Sequence, residues 1–251
     1  MRMAAQLEYD GSAYCGWQKQ QAGINTVQVA VENALSQLAN EPIAVQCAGR
    51  TDTGVHALGQ VIHFDTQAKR DLHHWIMGTN YFLPPDIRVV SAQAVDDRFH
   101  ARFSAQARHY RYDIYNRRMP SALYRTQYTW LPSPLDAARM HQAGQCLVGE
   151  HDFTSYRASG CQSHSPWRHV SALKVTREGW MVSIEVSANA FLHHMVRNIT
   201  GVLMAIGAGD HALDWAQQVL DKKDRTQAGV TAQPAGLKLV KVDYPEPWQF
   251  L

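Results

Sequence analysis

The sequence lacks several features that would place it in a special class of proteins. It has no apolar run long enough to span a bilayer, and its first ten residues already read as a strand, which leaves no room for a signal peptide. It also has no Cys-x-x-Cys pair, because its four cysteines are scattered. Scattered thiols are typical of a reducing compartment rather than of a disulfide framework or a zinc site. We therefore expect a cytoplasmic protein without a membrane segment.

A strong net charge is also missing, since the formal charge is +2. The arginines are nevertheless concentrated between Arg98 and Arg118. This stretch contains six arginines and a single acid, Asp113. Arg108 and Arg111 belong to this run, and tyrosines and phenylalanines are interleaved with them. Arginine beside aromatic residues suits phosphate contacts and base stacking. A strand with a solvated basic face would give the same pattern, so the residues alone leave both interpretations open.

Periodicity predicts the same order of elements twice. In the first half, strands are predicted at 4–9, 43–47, 60–65 and 87–94, with helices at 27–39 and 72–80. In the second half, strands are predicted at 107–115, 170–177, 180–188 and 237–244, with helices at 135–147, 191–206 and 213–220 and an irregular stretch at 149–168. Each half reads β-α-β-β-α-β, the order of a ferredoxin-like unit, with 213–220 as an extra helix of the second half. The predicted fold class is α+β, with halves at 1–104 and 105–251.

The stretch from Gly49 to Ala57 is the most informative part of the chain. It sets Arg50, Asp52 and His56 between two apolar runs, so it is expected to be a loop held at both ends by a sheet. An arginine two residues away would keep the Asp52 carboxylate ionised and fix its direction. Ordinary turn chemistry, with the carboxylate capping nearby amides, remains the alternative.

Two further polar side chains lie where the pattern predicts apolar surroundings. Arg197 falls in a strongly apolar helix, where an unpaired charge would be costly, so it should have a carboxylate partner, for which Asp52 is the candidate. Tyr110 lies on the first strand of the second half, where it could stack on a base and move a proton, or simply be a core tyrosine. His193 and His194 do not have the spacing of a metal site, and no metal is expected.

The motif Gly-Arg-Thr-Asp-Thr-Gly-Val-His-Ala at 49–57 resembles the signature of the TruA family of tRNA pseudouridine synthases, in which the aspartate is catalytic. The residues Phe-Leu-His-His-Met-Val-Arg-Asn at 191–198 are similar to the helix that brings this family's arginine to its aspartate. The resemblance covers nearly the whole chain, from Glu8 to Leu237. It implies a pseudouridine synthase fold, in which two ferredoxin-like halves pack around a mixed, mostly antiparallel sheet with a central RNA-binding cleft.

The resemblance also implies a reaction and a set of residues. The enzyme would isomerise uridine to pseudouridine at positions 38, 39 and 40 of the tRNA anticodon stem-loop, as a homodimer and without a cofactor. Asp52 would be the nucleophile, acting on a flipped-out base at either C1′ or C6. Tyr110, Arg50, Arg197 and Leu237 would contact or orient the substrate. Arg157 and Arg168 lie in segments similar to those that line the family's RNA cleft.

Two other classes of protein fit parts of the pattern. A non-catalytic RNA-binding module could carry the same ferredoxin-like repeats, aromatics and arginines, but it would not need Asp52 and Arg197 together. A metal-dependent hydrolase could use Asp52, His56 and His63, and a chelator would abolish its activity.

Overall fold

The computed structural model describes residues 1–250 of the chain. The chain forms two compact units. The first contains Met1–Arg108 together with the chain from Lys238 onward, and the second contains His109–Leu237. The sequence-based division at 104 and 105 assigned the whole C-terminal part to the second half, and the units differ from it in this respect.

The difference comes from the last strand, which we call β10 (Leu237–Asp243). Its residues Lys238 and Leu239 pair in parallel with His56 and Ala57 of the first unit. Gly59 allows the close approach, because a Cβ atom there would lie 2.4 Å from the carbonyl oxygen of Val240. A strand predicted from late in the sequence therefore completes the early unit.

The first unit begins with the predicted order β-α-β-β-α-β. Its elements are β1 (Arg2–Tyr9), α1 (Val27–Ala39), β2 (Gln46–Cys47), β3 (His56–Asp65), α2 (Leu72–Phe82) and β4 (Ile87–Val95). The strand order is β4-β1-β3-β10, with β2 also beside β3, and all of these pairs except β3–β10 are antiparallel. β2 is shorter than the predicted strand 43–47, because Gln46 and Cys47 alone pair with β3.

Helix α1 covers the predicted residues and has the predicted start. The Thr26 hydroxyl accepts the N–H of Val29 at 3.4 Å, which is the bond expected of an N-cap. Val27, Val31 and Leu35 are buried, because their helical spacing places them on one face.

The second unit contains most of β5 and the following elements through α5. They are β5 (Ala107–Asn116), β6 (Thr129–Leu131), α3 (Ala137–Gly144), β7 (Gly149–Asp152), β8 (Trp167–Glu178), β9 (Met181–Ala188), α4 (Met195–Ala208) and α5 (Trp215–Lys222). The strand order is β5-β9-β8-β7, and β6 runs parallel to β5. The predicted β8–β9 hairpin is confirmed, whereas β7 occupies part of the stretch expected to be irregular.

Two helices begin later than the sequence predicts. α4 was expected from Phe191 but begins at Met195, because His194 has a φ of 61° and an α-helix cannot continue through that conformation. α3 begins after Asp136, whose carboxylate accepts the N–H groups of Ala138 and Arg139. The helix therefore begins at Ala137, two residues after the predicted start.

The fold class is α+β, with mixed and mostly antiparallel strand pairing, as the sequence predicts. Residues 1–250 contain five α-helices. None of the helices in this range combines the length and the apolar character that a membrane span requires.

Candidate active site

Asp52 lies in the loop 48–55, which joins β2 to β3 and which we call the Asp52 loop. The Asp52 side chain is half-buried, and its backbone carbonyl accepts the N–H of Val55 at 3.1 Å. The N–H of Trp17 donates to the carbonyl of Thr51, and the N–H of Gly54 donates to Tyr14. Gly54 has a φ of 76°, which favours glycine at this turn. The loop is therefore a defined turn, bonded on one side to the segment after β1.

A buried glutamine holds the start of this loop. Gln60, which is fully buried in β3, donates to the carbonyl of Gly49 at 2.5 Å and accepts the Gly49 N–H at 3.3 Å. The Gln60 amide also donates to the Tyr9 hydroxyl, which is bonded to the Thr51 hydroxyl at 2.8 Å. The residue immediately before Asp52 is thus fixed by side chains from β1 and β3.

Two glycines let the segment 11–16 lie directly on the Asp52 loop. A Cβ atom on Gly11 would be 1.9 Å from the carbonyl oxygen of Val55, and one on Gly16 would be 2.8 Å from that of Thr51. Gly16 also has a φ of 84°. Any larger residue would push the loop away, so both positions require glycine.

Arg50 and Cys47, at and beside the start of the loop, differ in what they can do: Arg50 is exposed and Cys47 is half-buried. Arg50 is exposed, and within residues 1–250 its guanidinium makes no hydrogen bond or ion pair, so it can contact a ligand. Burial raises the pKa of the Cys47 thiol to about 12, and Arg50 and Arg102 offset this in part. Cys47 is therefore a neutral thiol and an unsuitable nucleophile.

The two histidines of the alternative hydrolase site are bonded to the backbone of the first unit. His56 accepts the N–H of Gly11 at its Nδ1 atom, at 3.1 Å. His63 accepts the N–H of Ala101 in the same way, and burial, with a smaller effect from His100, lowers the pKa of His63 to about 4. Both imidazoles hold neighbouring segments of the fold together.

In the second unit, Tyr110 and Tyr112 lie on the same face of β5 but have different surroundings. The Tyr112 hydroxyl bonds to the Thr129 hydroxyl and to the carbonyl of Gln233 at 2.8 Å, and burial raises its pKa. The Tyr110 ring packs edge-on against Phe191, with 5.0 Å between ring centroids. Tyr112 is thus held by its hydroxyl within the second unit, and the role predicted for Tyr110 stays a prediction.

Arg197 lies in the first turn of α4 and is half-buried. Its Nε atom donates to the carbonyl of Ala232 at 2.8 Å, and its own carbonyl accepts the Ala232 N–H at 3.1 Å. Met195, Val196 and Ile199 around it are buried, as the sequence predicts. The direction of the guanidinium is therefore set in part by the chain at residue 232.

Leu237 is the first residue of β10 and is buried. A 3-10 turn, Pro234–Gly236, leads into it. Gly236 lies directly on β5, because a Cβ atom there would be 2.6 Å from the carbonyl oxygen of Asp113 and 2.8 Å from the Tyr112 ring.

The predicted RNA-binding arginines divide into two groups. Arg108 is buried and donates to the carbonyls of Ala48, Arg102 and Ala105, so it supports the base of the Asp52 loop and does not offer its charge to solvent. Arg168 donates to the Ser163 hydroxyl and to two carbonyls near it.

Arg111 and Arg157 are more accessible. Arg111 donates to the buried carboxylate of Asp113 at 3.0 Å. The Arg157 guanidinium is half-buried and makes no hydrogen bond or ion pair to any of residues 1–250. Of the four arginines, Arg157 has the surroundings expected of a phosphate contact.

The predicted residues thus lie in both units. Asp52 and Arg50 share one loop of the first unit, while Tyr110, Arg197 and Leu237 belong to the second unit. Sequence reasoning missed the residues that hold these groups in place, namely Tyr9, Gln60, Asn198 and Arg225. Asn198 lies within the motif at 191–198, but the motif does not show that its side chain fastens a distant segment, and no local pattern marks the other three residues.

Comparison with known proteins gives matches over both units. A family model described as tRNA pseudouridine synthase matches residues 4–104 and 143–245. A curated protein of Aeromonas salmonicida (strain A449) is 56% identical over 98% of this chain and 91% of its own length. One of Nitrosococcus oceani is 55% identical over 98% of this chain and 95% of its own length. Both are named tRNA pseudouridine synthase A.

These matches define the class of protein as an isomerase. The chain belongs to the tRNA pseudouridine synthase family, as the resemblance in the motifs predicts. Among solved structures, a chain of "Crystal Structure of a Cbf5-Nop10-Gar1 Complex" matches with a TM-score of 0.37 and 10% identity, over 95% of this chain and 49% of that one. A TM-score this low does not support an inference about fold or function.

Proposed function

We propose that this protein converts uridine to pseudouridine in tRNA, at positions 38, 39 and 40 of the anticodon stem-loop, with Asp52 as the nucleophile. The observation that carries the proposal is the Asp52 loop. Asp52 is its one carboxylate, and the residues on both sides of it are held by Gln60, Tyr9 and backbone bonds. A nucleophile held in a defined direction reduces the entropic cost of reaching the reacting atom.

The reaction needs no redox partner. Asp52 attacks the target nucleotide at C1′ or at C6, the bond between C1′ and N1 breaks, and the base rotates. C1′ and C5 are joined, the bond between Asp52 and the nucleotide breaks, and the carboxylate is regenerated. The hydrogen at C5 leaves as a proton, and N1 gains a proton. Atoms and electrons balance without an oxidant, ATP or a metal, so the proposal includes no cofactor.

The other residues bind and orient. Arg197 orients the Asp52 carboxylate, Tyr110 stacks on the flipped base, and Leu237 gives the base an apolar wall. Arg50 and Arg157 contact phosphates. Arg108 and Arg168 are left out of this set, because their guanidinium groups are bonded to nearby segments of the protein. The proposal also includes a cytoplasmic location and a homodimer. Light scattering can test the dimer.

The test is release of tritium from C5-labelled uridine in a tRNA transcript, in the presence of EDTA. Wild type and Asp52→Ala are compared, with Asp97→Ala as a control in which an exposed aspartate of the same unit is removed. We expect release by the wild type and the control and none by Asp52→Ala. Equal release by Asp52→Ala would refute the role of Asp52. No release by any protein, with tRNA still bound, would favour an RNA-binding module.

A second set of transcripts addresses position. Each carries one labelled uridine, at position 38, 39 or 40, and a fourth carries one at a position outside the anticodon arm. Release from the first three and not from the fourth supports the proposed positions. Activity that EDTA abolishes would instead point to metal-dependent chemistry.

A further inference from the structure

The segment 225–233, which we call the strap, lies directly on the first two turns of α4. Gly201 makes this possible, because a Cβ atom there would be 1.8 Å from the carbonyl oxygen of Val230. The strap is bonded to the first turn of α4 at Ala232. The Ala232 N–H donates to the carbonyl of Arg197, and the Ala232 carbonyl accepts from the Arg197 side chain. The position of residue 232 therefore sets, in part, where the Arg197 guanidinium points.

A buried asparagine fastens the strap to the helix. Asn198 is almost fully buried and donates to the carbonyl of Tyr156 at 2.8 Å. Its Oδ1 atom accepts from the Thr231 hydroxyl at 2.7 Å and from Arg225 at 3.1 Å. Asn198 and Arg197 are adjacent, so one helical turn carries both the fastened residue and the residue that the strap directs.

Arg225 organises the strap itself. One terminal nitrogen donates to the carbonyls of Ala228 and Gly229, at 3.2 and 3.1 Å. The other donates to the Thr231 hydroxyl at 2.8 Å and to Asn198. None of these four acceptors is a carboxylate, so Arg225 serves here as a planar fork of donors rather than as one half of an ion pair. A lysine ammonium could not reach the same acceptors in this geometry.

We propose that Arg225 is a positioning residue for catalysis, which acts on Arg197 through Asn198, Thr231 and the carbonyl of Ala232. The inference rests on the proposed function, in which Arg197 orients the nucleophile. Arg225 itself does not touch the substrate in this proposal. Loss of the fork lets the strap leave the helix, and the Arg197 guanidinium then loses one of the bonds that set its direction.

The first experiment compares Arg225→Met with wild type in the tritium-release assay. We expect kcat to fall about tenfold or more, because small misplacements of an orienting group are costly, and KM for tRNA to stay within about twofold. Arg225→Lys keeps the charge but not the fork, and we expect it to restore only part of kcat. Full restoration by lysine would mean that charge, and not positioning, is what Arg225 supplies.

Arg139→Met is the matched control. Arg139 is also half-buried in the second unit and also donates to backbone carbonyls near α4, those of Ile206 and His211, but at the other end of the helix. We expect its kcat to match that of wild type. An equal loss of kcat in Arg139→Met would show that any loosening of α4 lowers activity, which would overturn the specific role of Arg225.

A double-mutant cycle separates positioning from general loosening. If Arg225 acts through Arg197, Arg225→Met should lower kcat little further when Arg197→Met is already present. If the double variant instead shows the product of the two separate losses in kcat, the proposal for Arg225 is overturned while the proposed function stays intact. If Arg197→Met alone keeps the kcat of wild type, the proposed role of Arg197 fails and the inference fails with it. An inactive wild type would refute the proposed function itself.

A milder variant keeps the test decisive if Arg225→Met does not fold. Thr231→Val removes the hydroxyl that lies between Arg225 and Asn198 while keeping the shape of the side chain. We expect a folded protein with kcat lowered several-fold and KM unchanged. A folded Thr231→Val protein with the kcat of wild type would overturn the proposal.

Discussion

The Asp52 loop and the first turn of α4 are both held tightly, but by different means. The Asp52 loop is fixed by residues close to it in the fold, through glycines that admit backbone contacts and through Gln60, Tyr9 and Arg108. The first turn of α4 is fixed by an irregular segment, the strap, which Arg225 fastens to Asn198. A rigid sheet can thus hold one reactive group, while a helix terminus needs an added segment to hold the other.

The Gln60 amide clamps the Asp52 loop through its two hydrogen bonds to the backbone of Gly49. Breaking this clamp should have the largest effect on stability. We expect Gln60→Leu to lower the free energy of unfolding by about 3 kcal/mol, because it leaves the N–H and the carbonyl of Gly49 without their partner. Tritium release should fall as well, since the loop is then free to move. Urea unfolding measures the first effect, and Gln37→Leu on the exposed face of α1 is the control. An unchanged midpoint would mean that the clamp is dispensable.

Pushing the strap away from α4 should have the next largest effect. Gly201→Ala places a methyl group 1.8 Å from a carbonyl oxygen, and we expect a loss of about 2 kcal/mol in unfolding free energy together with a lower kcat. Gly160→Ala is the control, because a Cβ atom there would have no neighbour within 4 Å. A normal kcat in a folded Gly201→Ala protein would mean that the position of the strap does not affect catalysis. Of the two regions compared, only the Asp52 loop would then need its supporting contacts for activity.

The free energy of unfolding should decrease as the pH falls, because of His63 on β3, the strand that follows the Asp52 loop. His63 has a pKa of about 4 in the folded protein because it is buried, whereas an unfolded histidine titrates near 6.5. The neutral form therefore stabilises the fold fully above about pH 6.5, and this contribution is lost as the pH falls toward 4. We expect His63→Asn to reduce the drop in stability between pH 7 and 4.5 by about 2 kcal/mol.

Unfolding free energies at several pH values measure this effect. His164→Asn is the control, since His164 is exposed. A pH dependence equal to that of wild type in His63→Asn would assign the acid sensitivity to other groups.

The smallest expected effect comes from a surface charge of the Asp52 loop. Arg50→Gln should raise KM for tRNA a few-fold with kcat unchanged, and should flatten the dependence of log KM on log salt by about 0.7 to 0.9. Arg157→Gln should do the same from the second unit. Arg168→Gln should have a smaller effect on the salt dependence, because its guanidinium is bonded within its own loop. Equal slopes for all three variants would contradict this division.

Much of the fold follows from local patterns. Helix α1, the β8–β9 hairpin and the order of the first six elements agree with prediction, because apolar periodicity and capping residues act over a few positions. The start of α4 was predicted four residues too early. Apolar periodicity does not reveal the left-handed conformation of His194, which ends the preceding segment.

The candidate site shows the same limit. The motif at 49–57 identifies the loop, and the structure adds that its turn has a positive φ at Gly54. The arginine run was less informative, because a pattern of charges does not reveal which side chains turn inward. Arg108 donates to three carbonyls, and Arg111 pairs with a buried carboxylate.

The sequence by itself determined the family, the α+β class and the loop that carries Asp52, because these depend on short motifs and on periodicity. The tertiary structure decided which residues support that loop, that β10 pairs with β3, and that Arg225 is fastened to Asn198. Those contacts join segments far apart in the chain, and hydrogen bonds between such segments leave no periodic signal in the residues that form them.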